Sequence, residues 1–303
     1  MSASEGSPGL DGLLTETRRA AADYAALSTL ELVELMNRED ASVPAAVAAE
    51  GEAIAMALDA IVARVRAGGR LVYAGAGSSG RIAALDAEEC EGTFSTAAGQ
   101  VVALVAGSEG ASSAEREAAE DDSAAGRKAV EELGVTAGDV VVAVSASGRT
   151  PYVVAALEAA ADAGALTVAL TATRDSELAG IAEHELAVVV GPEVLSGSTR
   201  LKAGTAQKLV LNTISTVAMI RLGKTFGDLM VDVRASNEKL AARARRVVRE
   251  AAGVSDEHAE AALAAAGGSA KVAVVALLAE LDVDAARARL DAAGGDIQAA
   301  LGR

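Results

Sequence analysis

Leu71-Val72-Tyr73-Ala74-Gly75-Ala76-Gly77-Ser78-Ser79-Gly80-Arg81 and Val140-Val141-Val142-Ala143-Val144-Ser145-Ala146-Ser147-Gly148-Arg149-Thr150 decide the fold. Each is a short apolar run that gives way to small and hydroxyl-bearing residues and then to a helix-length segment. Three further runs, Val101 to Ala106, Leu166 to Leu170 and Leu186 to Val190, repeat the texture. Five such runs separated by helical stretches predict βα units carrying a parallel sheet buried on both faces, an α/β fold.

Outward from that centre the pattern is helical. From Thr15 to Arg66 it predicts helices, with one opening at Leu27-Ser28-Thr29, where Ser28 or Thr29 is the candidate N-cap. Leu201 to Leu222 lacks proline and predicts one helix covering the sheet. A helix over Asn237 to Glu250 leads into an Ala-rich tail, where Gly267-Gly268 and Gly294-Gly295 punctuate three or four short helices. Residues 1 to about 10 read as disordered. The expected segments are 1–55 (N-terminal helices), 56–236 (the α/β domain) and 237–303 (a small C-terminal helical bundle).

Composition narrows the function. Of 303 residues, 51% are apolar but only 2% aromatic, and Trp is absent, so Ala, Val, Leu and Ile must build the core. Few aromatics and a net charge of −16 argue against a nucleic-acid partner. The same charge requires a local electropositive pocket for any anionic substrate. One cysteine, Cys90, forms no intrachain disulfide and fits a reducing compartment. No secretory signal or membrane span is visible, and a cytoplasmic location is expected. Two histidines and one cysteine predict no transition-metal site.

In open parallel sheets, ligands bind beyond the carboxyl ends of the strands. Both quoted turns lie there, with glycines that admit an anion to the backbone and hydroxyls that donate to it. Gly75-x-Gly77-x-x-Gly80 has the spacing of a dinucleotide site. The ribose-binding acid expected about 20 residues later is missing, because that run ends Val105-Ala106-Gly107. A phosphorylated small molecule fits the two hydroxyl-rich turns better.

The turn pair, above all Ser145-x-Ser147-Gly148-x-Thr150, resembles the phosphosugar site of sugar isomerase (SIS) domains. The resemblance implies a five-stranded sheet flanked by helices, with phosphate held at Ser78, Ser79, Ser145, Ser147 and Thr150. Further stretches narrow the match: Asn37 to Asp40, Leu85 to Cys90, Ala119 to Asp122, and Ser196 to Lys208. In order and spacing they resemble the N-acetylmuramic acid 6-phosphate etherase family from about Thr15 onward. That family resemblance implies removal of D-lactate from a phosphorylated amino sugar, with no cofactor and no metal. It places the acid/base glutamates at Glu89, as acid on the departing oxygen, and Glu120, at the C2 proton. Lys202 is expected at the substrate, and Arg81, Arg149, Arg200 and Lys208 are further cations for phosphate or lactate carboxylate. The C-terminal tail resembles a ubiquitin-associated-type bundle in topology only.

This chain departs from the family where Glu91-Gly92 replace two prolines after Cys90, and where Glu88 replaces a serine. A geometric difficulty accompanies the departure: a helix from Ser79 to Glu89 spans about 15 Å. Three arrangements would reconcile them. The helix breaks early, the phosphate sits mainly at the Ser145 turn, or Glu89 serves a neighbouring protomer in a homodimer. Rival expectations for the pocket are a non-catalytic phosphosugar regulator, a phosphosugar isomerase or deaminase and, last, a nicotinamide dehydrogenase.

Overall fold

The computed structural model describes residues 13–18, 23–107, 112–232 and 238–302. The expectation for residues 1–10 lies outside the described residues. By its contacts the chain divides into two units: residues 1–86 with 102–213, and residues 87–101 with 214–303. The three-segment organisation, with boundaries at 55/56 and 236/237, stays our proposal beside that division.

The first unit is built around a sheet of five strands: β1 (Leu71–Gly75), β2 (Val101–Val105), β3 (Val140–Val144), β4 (Leu166–Thr171) and β5 (His184–Ala187). Their order is β2-β1-β3-β4-β5, with parallel pairing from β1 through β3 and β4 to β5. Every residue of β1, β3 and β4 is buried, as the unbroken Val/Leu/Ala runs predict for central parallel strands. The fifth strand begins and ends earlier than expected. It enters register at Val168↔His184, makes a last backbone bond from Val188 N to Thr171 O, and leaves through Gly191, whose φ is +70°. An edge strand can start on half-exposed His184 and Glu185, so the apolar run overshoots the ladder.

The connecting helices are α1 (Thr29–Asp40), α2 (Val43–Ala49), α3 (Gly51–Arg66), α4 (Gly77–Phe94), α5 (Ser113–Glu120), α6 (Ser123–Leu133), α7 (Pro151–Asp162), α8 (Glu177–Ile181) and α9 (Lys202–Arg221). Ser28 caps α1 in a reciprocal box with Glu31. Ahead of it the helical expectation gives way to single 3-10 turns at Leu14–Glu16 and Tyr24–Ala26, where no side chain caps a longer run. Along α3, Ile54, Ala57, Leu58, Ile61, Val62 and Val65 form the buried stripe. Alanine and glycine let the other layers approach closely: a Cβ on Gly126 of α6 would sit 2.0 Å from the Tyr152 carbonyl oxygen of α7. On the sheet edge opposite the turns, buried Asp139 accepts from Arg70 N, Nε and Nη2 and from Thr136 N, fixing the starts of β1 and β3 together. That guanidinium holds the Asp139 carboxyl far below the usual range.

The second unit contains the β6–β7 hairpin (Thr225–Phe226, Leu229–Met230), which sequence patterning did not predict, and α10 (Glu238–Ala252), α11 (Asp256–Ala265), α12 (Ala270–Leu278), α13 (Val283–Ala292) and α14 (Ile297–Ala300). Ser255, Ser269, Asp282 and Asp296 cap the last four helices, and the glycines at 267, 268, 294 and 295 take positive φ between them. Val247, Val274, Val275, Leu290 and Ile297 centre its core. Beside that core, buried Lys271 pairs with Asp232 at 2.6 Å and donates to the Gly295 carbonyl.

Candidate active site

The order β2-β1-β3-β4-β5 reverses direction between β1 and β3, so their carboxyl ends open a crevice rather than being bridged by one connection. Gly75 is level with Val144 in register, which starts the two turns side by side. A cleft of about 1270 Å³ lies there within the first unit. Ser78, Ser79 and Arg81 line it from the first turn, and Ser145, Ser147 and Thr150 from the second. Glu120, Glu117, Arg116, Glu16, Leu13 and Thr199 complete the relevant wall.

The first turn is shaped by what its glycines leave out. A Cβ on Gly80 would lie 2.7 Å from the Gly75 carbonyl oxygen and 2.8 Å from Val105 Cγ1. Gly77, at φ +52°, leaves room for a carboxylate: a Cβ there would stand 2.5 Å from Glu120 Oε1. The G-x-G-x-x-G spacing therefore has steric reasons that involve no dinucleotide. Ser78 Oγ accepts from Arg81 Nη2 at 3.1 Å.

Hydroxyls shape the second turn. Buried Ser145 Oγ bonds Thr150 Oγ1 at 2.8 Å and accepts from Gly148 N at 3.1 Å. Ser147 Oγ accepts from Arg149 N at 3.3 Å. Gly148 takes φ +65° against Ser176, and its carbonyl receives the Leu178 N–H. Thr150 spends its hydroxyl on Ser145 and makes no side-chain cap on α7, which starts at Pro151 directly behind the turn.

Glu120 ends α5 and leans over the first turn. Burial raises its pKa above the ordinary glutamate range, Asp121 and Glu117 add to the rise, and Arg81 opposes it. An acid that holds its proton longer also makes a stronger base when ionised. Glu89 is placed differently. α4 runs unbroken from Gly77 to Phe94, which removes the early break from the three arrangements, and Glu89 is not among the residues lining the cleft. Cys90, next along, is buried and forms no disulfide. Asp86, one turn earlier, is buried and accepts from Tyr73 Oη at 2.9 Å and Asn212 Nδ2 at 2.8 Å.

Lys202 also stands away from the lining. Its ammonium is 4% exposed and pairs with Glu39 at 2.9 Å. Glu193, fully buried, accepts from Lys202 N and Ala203 N and so caps α9. Arg149, Arg200 and Lys208 are likewise absent from the lining, and the expected electropositive pocket takes another form. Glu16, Glu117 and Glu120 outnumber Arg81 and Arg116 along the wall, so the groups there with the chemistry to receive an anion are hydroxyls, backbone N–H groups and the start of α7. Among the described residues no group of three or more His, Cys, Asp or Glu is placed to hold a metal ion.

Residues 53–161 match the glucokinase regulatory protein N-terminal SIS domain, and residues 127–216 match the SIS domain. The N-acetylmuramic acid 6-phosphate etherase of Streptomyces coelicolor is 55% identical over 96% of this chain and 94% of its own. That of Rubrobacter xylanophilus is 55% identical over 97% of each. The chain belongs to the N-acetylmuramic acid 6-phosphate etherase family. Within that family the Serratia proteamaculans protein is 48% identical over 97% of this chain and 99% of its own. The crystal structure of a Bacteroides fragilis protein assigned as a phosphosugar isomerase of capsule formation shares the fold, at TM-score 0.50 and 22% identity over 66% of this chain and 95% of that one.

For this family member, sequence reasoning passed over Glu16, Thr199 and Glu193. Glu16 sat in a stretch read as helix, and nothing local distinguishes Glu193 from the chain's other acids. Thr199 fell inside a quoted motif but carried no role.

Proposed function

We propose that this chain is a carbon–oxygen lyase that cleaves the D-lactyl ether of N-acetylmuramic acid 6-phosphate, releasing D-lactate and N-acetylglucosamine 6-phosphate. The observation that carries this is identity of 55% to etherases of the family along nearly the whole of both chains. The cleft supports it with hydroxyls suited to a phosphate and with a desolvated glutamate beside them.

In the open-chain sugar, the C1 aldehyde acidifies the proton on C2. Glu120 takes that proton, the C3–O bond breaks, and the lactate oxygen leaves with a proton from an acid. Water then adds at C3 and a proton returns to C2, so one water is consumed overall. Ser145 and Thr150 hold the second turn in shape, and Ser147, Ser78 and Ser79 offer their hydroxyls to the phosphate. We assign the acid to Glu89, supplied by a second copy of the chain. The unbroken α4 and the exposed Leu30, Val33, Met56 and Leu85 favour a homodimer of this kind. Lys202 serves from behind the site, neutralising Glu39 near the segment that carries Thr199. Among the described residues no single helix is long and apolar enough to cross a membrane, and we place the reaction in the cytoplasm.

Turnover in heavy-oxygen water tests the chemistry. Label is expected in the C3 hydroxyl of the sugar product, and label found only in lactate refutes elimination and hydration. Mixing Glu89→Gln with Ser145→Ala protein tests the shared site. Random re-pairing should restore about a quarter of native activity, because half the dimers then hold one intact site. Mixed dimers without activity refute sharing.

A further inference from the structure

The described residues ahead of α1 are tied to the α/β unit by backbone and side-chain hydrogen bonds. Its 3-10 turn, Leu14–Glu16, is fastened to the loop ahead of α9: Gly197 N donates to the Thr15 carbonyl at 2.8 Å, and Ser196 Oγ donates to the Glu16 carbonyl at 2.6 Å. Tyr24 Oη adds a bond to the Val194 carbonyl at 2.8 Å. Within this strap Leu13 and Thr15 are buried. The fastening leaves the Glu16 side chain on the cleft wall, lying over Gly197, where an added Cβ would meet Oε2 at 2.6 Å. Gly197, at φ +78°, thus makes room for this carboxylate as Gly77 does for Glu120.

No hydrogen bond or ion pair engages the Glu16 carboxylate among the described residues, although its backbone is pinned on both sides. An ionised carboxylate only accepts hydrogen bonds. Phosphate and lactyl carboxylate are also acceptors and would be repelled, so neither can be its counterpart. The remaining donors of a phosphorylated amino sugar are its ring hydroxyls and its acetamido N–H.

We propose that Glu16 is a specificity-determining residue of the site, whose carboxylate accepts a hydrogen bond from a hydroxyl or amide N–H of the sugar. The proposal rests on the etherase reading for its substrate class. It divides recognition in two: the strand-end turns take the phosphate, and the strap reads the sugar.

Two probes separate these parts. N-acetylglucosamine 6-phosphate carries both phosphate and donors, whereas inorganic phosphate carries no sugar. Each is measured by calorimetry and as a competitive inhibitor of lactate release. Glu16→Ala is expected to weaken the sugar phosphate about tenfold or more, to leave inorganic phosphate unchanged or slightly tighter, and to raise KM more than it lowers kcat. Glu16→Gln, which keeps an acceptor oxygen, should recover part of the loss. Gly197→Ala, which displaces the carboxylate, should reproduce the Glu16→Ala effect without adding to it in the double variant. Equal weakening of both probes would reduce Glu16 to a structural support and overturn the proposal, as would unchanged sugar affinity. Native protein that binds the sugar phosphate but releases no lactate would instead sink the etherase reading and leave the Glu16 contact standing.

Discussion

In the turn after β1, glycines keep side chains out, whereas in the turn after β3, hydroxyls bring polar atoms in. Gly75 and Gly80 touch backbone to backbone, and Gly77 yields its space to Glu120. Ser145, Ser147 and Thr150 instead form a hydrogen-bonded knot whose outer atoms reach the same cleft. The first turn thus governs how close helix, strand and carboxylate can come, and the second, on the proposed function, governs what an anion meets. Substitutions in the two should therefore fail in different observables.

The largest effect is expected at the carboxylate that leans on the first turn. Glu120→Gln should lower the rate of lactate release by about 100- to 10,000-fold while the unfolding transition stays put. A loss of less than tenfold would remove Glu120 as the base. Gly80→Ala should instead cost about 1–3 kcal/mol of stability through overpacking against Gly75 and Val105, read from denaturant unfolding. An unchanged midpoint would show that the helix shifts freely and that the glycine contact is incidental. Ser147→Ala should weaken inorganic phosphate about tenfold and change stability by less than ~0.5 kcal/mol. If stability falls while phosphate affinity holds, the second turn is a structural knot only.

The smallest expected effect is a displaced pH profile. Desolvation raises the Glu120 pKa, and a base must be ionised to act, so kcat/KM should fall as pH drops through that raised value. The acid limb should lie above that of an ordinary glutamate. Arg81 opposes the shift, so Arg81→Met should move the limb further toward neutral pH. A limb unmoved by Arg81→Met would detach Glu120 from the observed titration.

Much of the fold was legible because the signals are local. Valine-rich runs with no polar alternation gave β1, β3 and β4 within a residue, and Leu27-Ser28-Thr29 marked the start of α1, with Ser28 the cap of the two candidates. Paired glycines at 267–268 and 294–295 marked breaks between helices for the same reason, since positive φ follows from residue type. Both turns flanking the cleft were readable from their glycines and hydroxyls. The ends of β5 were not, because a ladder stops where its neighbour stops and not where apolar residues run out.

By itself, then, the sequence determined the βα alternation and the two strand-end turns, which depend on neighbours a few positions apart, whereas the acid/base glutamates were named only through the family resemblance. Only the tertiary structure decided which charges meet. It set Lys202 against Glu39 across 163 residues, tied Ser196 to Glu16 across 180, and kept α4 unbroken past Glu89. The physical reason is that a charged side chain takes its role from its partners and its desolvation. Both are fixed by contacts between segments far apart in the chain, which no local pattern encodes.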